Sequence, residues 1–387
     1  MASSSRIDSP DAYEKDVAPY GRVCAALLGT VAVALGRDLR KATEGADPTV
    51  LAAVTCGGLA ATWGRLPETW ARLSEGTVGA MVEAMDELAV PDFARAGVPY
   101  VAIADDAVMS RMAEQGAAGM AEALSETTAW GNVRLLTRDG ALVPVREAYD
   151  GMLSEAVRRA ADGEDVQQVV RGVADQLIGG RRGLRIVRTD SHGRDRSYDI
   201  TGAVRQDVWD HRSRVMQQLR GEQGRLCGMD AVEITAHATC APDHIDAQGK
   251  IYTLDAFAKL QETLPRPIGF WNCRHITWPC WADSTPSQSA AELREMREMS
   301  ERTVTFTDDN GRSRSMTAYE FTQWQRVQER RIREEKTRRM LYEAAGDAES
   351  ARESTLRVRQ MRRTYGRASA AADVRTMPER TLVGTLA

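Results

Sequence analysis

Apolar positions fall into two rhythms along the chain. Two Ala/Gly-rich segments, Val23 to Leu39 and Thr49 to Leu66, predict helices whose small side chains allow close packing. Pro67 opens a further helix over Glu68 to Leu73. From Gly76 to Leu88, Val78, Met81, Val82, Met85 and Leu88 recur three and four apart, the stripe of a core-facing helix. Pro91 and Pro99 are expected to interrupt that pattern. Asp105 to Glu126 and Val143 to Leu177 resume it, the latter broken at Gly163. Before Tyr20, Met1 to Asp16 is rich in Ser, Asp and Pro and predicts a mobile arm.

Near Leu184 the period changes. Leu184 to Arg188 alternates as a strand, Ser191 to Asp195 turns with His192 exposed, and Ser197 to Ile200 returns. The preceding Gly179 to Gly183 reads as a hinge, because no strand-then-helix order follows to make it a phosphate loop. Thr201 to about Glu222 is helical, with Val204, Val208, Met216 and Leu219 inward and Arg205, Arg212 and Arg214 pointing elsewhere. Val232 to His237 alternates again, its polar face carrying Glu233, Thr235 and His237. Ile251-Tyr252 predicts a second strand, and Thr253 caps a helix to Leu264 that Pro265 and Pro267 end.

Beyond a polar linker at Asp283 to Ser289, Ala290 to Arg302 reads as a charged helix. Val304 to Phe306 and Ser313 to Met316 form a hairpin about Asn310-Gly311. Thr317-x-x-Glu320 is a capping box that launches a helix to Ala345, stopped by Gly346. Another helix spans about Ala348 to Tyr365, and the last 20 residues are expected to order only against a partner. The fold class is therefore α+β. A helical N-terminal domain with its arm occupies 1–180, a small mixed α/β module 181–283, and a hairpin plus basic helical tail 290–387.

A hydrophobic content of 43% with 27% charged residues is that of a globular protein. The net charge of -4 excludes a uniformly basic nucleic-acid binder but hides an asymmetry. Residues 311–387 hold 17 Lys/Arg against 10 Asp/Glu, which is +7 and leaves -11 for the rest. Seven cations from Arg326 to Arg339 can follow a phosphate backbone, although the interspersed glutamates favour a solvated, charge-paired face. Six irregularly spaced cysteines do not make a secreted disulfide framework. The longest uncharged apolar runs, 14 and 17 residues, fall short of the ~20 needed to span a bilayer, so no membrane span is expected.

Polar chemistry concentrates between Val232 and Pro279, which holds three of the five histidines. Cys240, His244, Cys273 and His275 are four candidate zinc ligands. One residue between Cys273 and His275 is fewer than structural sites usually leave, and the alternative is cysteines packed as small hydrophobes. Glu233, His237, Asp243 and His244 can form an acid/base set, and Cys273 with His275 a thiol nucleophile. A hydrogen-bond network that locks the loop is the preferred reading, with no catalytic residue and no cofactor. Within it, Arg274 is expected to pair with Glu233.

The order Glu233, His237, Ala241-Pro242-x-His244, Gln248-Gly249-Lys250-Ile251-Tyr252, then Asn272-Cys273-Arg274-His275 with Pro279 resembles the phage minor capsid protein 2 family, relatives of the Mu F-like head-morphogenesis proteins. The resemblance covers about Tyr20 to Tyr365. It implies a structural virion component of a phage or prophage, made in the host cytoplasm and present at low copy near the portal. Portal and other head proteins would be its partners, packaged DNA would meet its C-terminal basic helices, and its role would lie in head assembly, packaging or ejection. The competing class is a metal-dependent or hydrolytic enzyme module built on the Cys/His cluster.

Overall fold

The computed structural model describes residues 10–96, 101–137, 139–179, 182–189, 193–271, 273–308 and 310–386. His192 and Asn272, and with them the expected turn and the first residue of the Asn-Cys-Arg-His motif, lie outside the described residues.

One long helix, α1 (Pro10–Thr43), runs through the core. Val17, Tyr20, Cys24, Leu27, Val31, Leu35 and Leu39 are fully buried on it at spacings of three and four. The expected arm thus becomes helix from Pro10, because Asp16 reaches Arg212 at 2.9 Å and ties the first turns to the body. By length and composition the stretch Lys15–Thr43 could cross a membrane; here half of its most apolar window is buried against protein.

Around α1 pack α2 (Pro48–Trp63), α3 (Leu66–Ala96), α4 (Ala107–Thr127), α5 (Val145–Ala161) and α6 (Val166–Leu177). Pro91 does not interrupt α3. Between α4 and α5 the short strands β1 (Arg134–Leu136) and β2 (Leu142–Pro144) form a hairpin in a stretch left unassigned by sequence, and it takes Val143 and Pro144 from the expected helix. They join β3 (Arg185–Thr189) and β4 (Asp195–Asp199) in an antiparallel sheet of order β2-β1-β3-β4.

Asp199 then caps α7 (Ile200–Leu226). On this helix Arg212 and Arg220 are 2% and 1% exposed, against the expectation that Arg212 faces outward. Arg220 lies with its guanidinium carbon 3.5 Å from the centre of the Trp278 ring, a cation–π contact that lets a charge enter the core. The next sheet has β5 (Ala231–Ile234) at its centre, flanked by β6 (Ile251–Thr253) and β7 (Thr277–Cys280), all antiparallel. Strand β7 is not among the strands that the sequence predicts. α8 (Leu254–Thr263) follows β6, and α9 (Ala290–Glu301) leads to the hairpin β8 (Thr303–Thr307) and β9 (Ser313–Thr317).

Both Thr317 and Glu320 make the reciprocal bonds of the capping box that begins α10 (Ala318–Ala345), and Gly346 ends it in the left-handed conformation at φ 81°. α11 (Ala348–Ala371) completes the helices. Leu341 and Tyr342 of α10 and Ala351 of α11 share the buried cluster of α1. The last residues also order within the chain itself: Lys336 donates to Thr381 O, and Leu386 N donates to Thr30 Oγ1 at 2.9 Å. The protein is thus α+β and mainly helical, with small antiparallel sheets set against the helical core.

Candidate functional site

Strand β5 is the axis of the site because it pairs on both edges. Gly249 N and Thr235 N extend the pairing, bonding Ile234 O at 2.8 Å and Ile276 O at 2.9 Å. Those two bonds place the loop after β5, the turn before β6 and the approach to β7 side by side. Residues 29 and 35 apart in sequence, His244 against Cys273 and Cys240 against His275, come into contact as a result.

Local geometry explains the smaller motif residues. Pro242 sits at the second position of a turn closed by His244 N and Ala241 O at 3.0 Å, where its fixed φ is favourable. Gly249 has φ 69°, and a Cβ there would stand 3.2 Å from Leu293 Cγ, so only glycine fits. Gln248, 2% exposed, places its side-chain oxygen 3.1 Å from both His237 N and His275 Nε2.

At the centre lies Cys273. Its Sγ is 3.2 Å from His244 Nδ1 and 3.3 Å from His275 Nδ1. Donor atoms of His244, Cys273 and His275 all lie within 4.8 Å of one another, and all three residues are buried. Cys240, the fourth candidate ligand, is instead 3.4 Å from His275 Nε2, at the opposite nitrogen of the ring. His237 stacks on His275 with ring centres 4.5 Å apart. A cavity of about 240 Å³ opens on this cluster, walled also by Arg274 and by Tyr319, Gln323 and Arg326 of α10. Sequence reasoning missed the α10 wall, since nothing local ties residues so far downstream to the motif. It missed Arg266 as well, whose carbonyl binds His244 Nε2 at 2.7 Å. Thr239 and Trp271, at φ 62° and 53°, border the cavity in strained backbone.

Burial dominates the electrostatics. It lowers His237 to about 4, His244 below its ordinary range, and His275 well below it with help from the neighbouring histidines. Burial likewise raises the Cys273 thiol, and that of Cys240 to about 12. At neutral pH the cluster is therefore a set of uncharged imidazoles and thiols.

The two catalytic alternatives fare differently. Glu233, 8% exposed, accepts from Ser287 N and Ser287 Oγ, each at 2.7 Å. Its carboxylate is thus turned to the linker before α9, which replaces both the expected Arg274 pairing and a role beside His237. Arg274 instead lines the cavity. Asp243 approaches His244 Nε2 at 3.8 Å but pairs with Arg266 Nη2 at 2.8 Å. The acid/base set is not assembled. Cys273 does meet two histidines, but its raised thiol and their low basicity make a poorly activated nucleophile.

The site is thus a small antiparallel sheet knotted by buried Cys and His and set on a helical scaffold. The family model for phage minor capsid protein 2 matches residues 95–366, which include the whole of this site. The chain belongs to that family, and its place is the phage virion. No curated protein and no solved structure matches it.

Proposed function

We propose that this protein is a low-copy component of the phage head, made in the host cytoplasm, that sits close to the portal and assists head assembly, DNA packaging or ejection. Family membership over most of the chain is the observation that carries the reading. Mass spectrometry of purified virions is expected to find the chain far below the major capsid protein in abundance, and crosslinking of assembled heads to join it to the portal. Particles that lack it would refute the assignment, and crosslinks confined to the distal shell would refute the portal placement.

Contact with packaged DNA is part of this proposal, relocated from the whole face of α10 to one part of it. Along that helix Arg330, Arg338 and Arg339 are held by Glu334, Glu335 and Glu343, and Lys336 is buried. A cavity of about 390 Å³ nearby is lined by seven arginines, among them Arg22, Arg205, Arg326 and Arg333, against Asp199, Glu329 and Glu379. Burial, followed by the neighbouring guanidiniums of Arg274, Arg380 and Arg205, disfavours the charge on Arg326, and a phosphate would relieve it. DNA retention that weakens steeply with salt and is reduced in Arg326→Gln is expected. Equal retention by the variant removes DNA from the reading.

A further inference from the structure

Each histidine of the cluster has one ring nitrogen already committed. His244 Nε2 is 2.7 Å from Arg266 O, His275 Nε2 is 3.1 Å from Gln248 Oε1, and His237 Nδ1 is 2.9 Å from Ala238 O. An oxygen of this kind only accepts, so these nitrogens carry the hydrogens. The other nitrogen of each neutral ring therefore presents a lone pair. Two of these, His244 Nδ1 and His275 Nδ1, face the single thiol of Cys273. One S–H cannot satisfy two acceptors.

Cys240 offers no relief. Its thiol donates to Ala241 O at 3.2 Å, and its sulfur lies on the protonated side of His275. The third lone pair, on His237 Nε2, is buried without a partner among the described residues and borders the cavity. Unmet acceptors in a buried site are costly. A cation in place of the thiol hydrogen would satisfy the two that face Cys273 at once.

We infer that His244 Nδ1, Cys273 Sγ and His275 Nδ1 bind one zinc ion, with the fourth position open to the cavity and its water donating to His237 Nε2. The committed nitrogens are what this site requires, since a metal-bound histidine characteristically gives its other N–H to an oxygen that fixes the tautomer. The spacing suits it too: bonds of about 2.3 Å to sulfur and 2.0–2.1 Å to nitrogen at tetrahedral angles put S and N ~3.5 Å apart, close to what is found here. Nitrogen and thiolate donors select zinc over magnesium or calcium. On binding, the Cys273 thiol becomes a thiolate and its proton passes to solvent, one proton per ion. Three protein ligands and an open place differ from the closed four-ligand set that the Cys/His spacing suggested. This assignment stands apart from any role at the portal.

The test uses the purified full chain, stripped with chelator and titrated with cobalt(II) as the probe, then with zinc. One equivalent of cobalt is expected, with a thiolate-to-metal charge-transfer band and release of one proton, and zinc should displace it. Cys273→Ser should abolish the band and weaken binding by ~10-fold or more. Cys240→Ser should keep both, and His237→Asn should keep the stoichiometry. If Cys273→Ser fails to fold, alkylation of the native protein decides instead, with zinc expected to protect Cys273. A folded chain that takes up no cobalt overturns the assignment, as does a band lost equally on Cys240→Ser or Cys273 alkylated at the same rate with and without zinc.

Discussion

Gly116 and Gly119 lie one turn apart inside α4, and the same substitution is expected to stabilise at Gly119 but not at Gly116. Replacing a helical glycine by alanine ordinarily stabilises by about 0.8–1 kcal/mol through backbone entropy. At Gly119 a new Cβ meets nothing within 4 Å, so Gly119→Ala should show that gain. At Gly116 the Cβ would stand 3.0 Å from Val215 Cγ1, 3.2 Å from its Cβ, and closer still to Cγ2. Val215 is 3% exposed on α7 and, being β-branched, has no alternative rotamer to retreat into. Overpacking of this kind costs about 1–3 kcal/mol, so Gly116→Ala should end between neutral and about 2 kcal/mol destabilised. The difference between the two alanine variants isolates the clash, because the propensity terms cancel. Urea unfolding followed by circular dichroism measures it, and adding Val215→Ala to Gly116→Ala should recover part of the loss as a favourable coupling. Equal gains at the two positions would refute the α4–α7 packing, and with it the placement of the helix that supports the motif sheet.

Glu233→Ala should cost about 1–3 kcal/mol by releasing the two Ser287 bonds that hold the linker to β5, read as a drop in thermal midpoint that Ser287→Ala shares only in part. Gly29→Ala would press a Cβ into the Gly384 carbonyl, so carboxypeptidase should shorten the variant faster than the parent chain. Lys336 is lowered from 10.5 to about 8, first by burial and then by Arg362, Arg339 and Arg333. Below about 8 both states hold that proton; between about 8 and 10.5 only the unfolded chain does, so stability should rise with pH there, and Lys336→Met should flatten the slope. The division into 1–180, 181–283 and 290–387 is a proposal that limited proteolysis checks. Cuts within 179–183 and 283–289 should give fragments that stay associated through α1 and α10, and resistance at both segments would count against it.

What sequence determined here is what lies within a few residues of itself. The Thr317–Glu320 box, the left-handed stop at Gly346 and the β8–β9 hairpin are closed by atoms at most about 14 positions apart in the chain, so residue type alone specifies them. The same holds for the Thr253 cap, and the alternation within β5 and within β6 marks each as a strand although they pair across the longer reach from Ala231 to Thr253; this explains why the motif residues could be named before their contacts were known. Tertiary structure decided which way those residues face. Strand β7 had no alternating pattern of its own and became a strand because β5 offered it an unpaired edge. Arg212 was expected to point away from the buried side of its helix because it is charged, yet Asp16, distant in sequence, pairs with it in the core, and Trp278 does the same service for Arg220. Glu233 was read as facing Arg274, but the linker serine reached it first. Cys240 and Cys273 look equivalent by spacing. Only the orientation of the His275 ring between them, set by Gln248 from 27 residues away, puts one thiol against the open lone pairs and the other behind the ring.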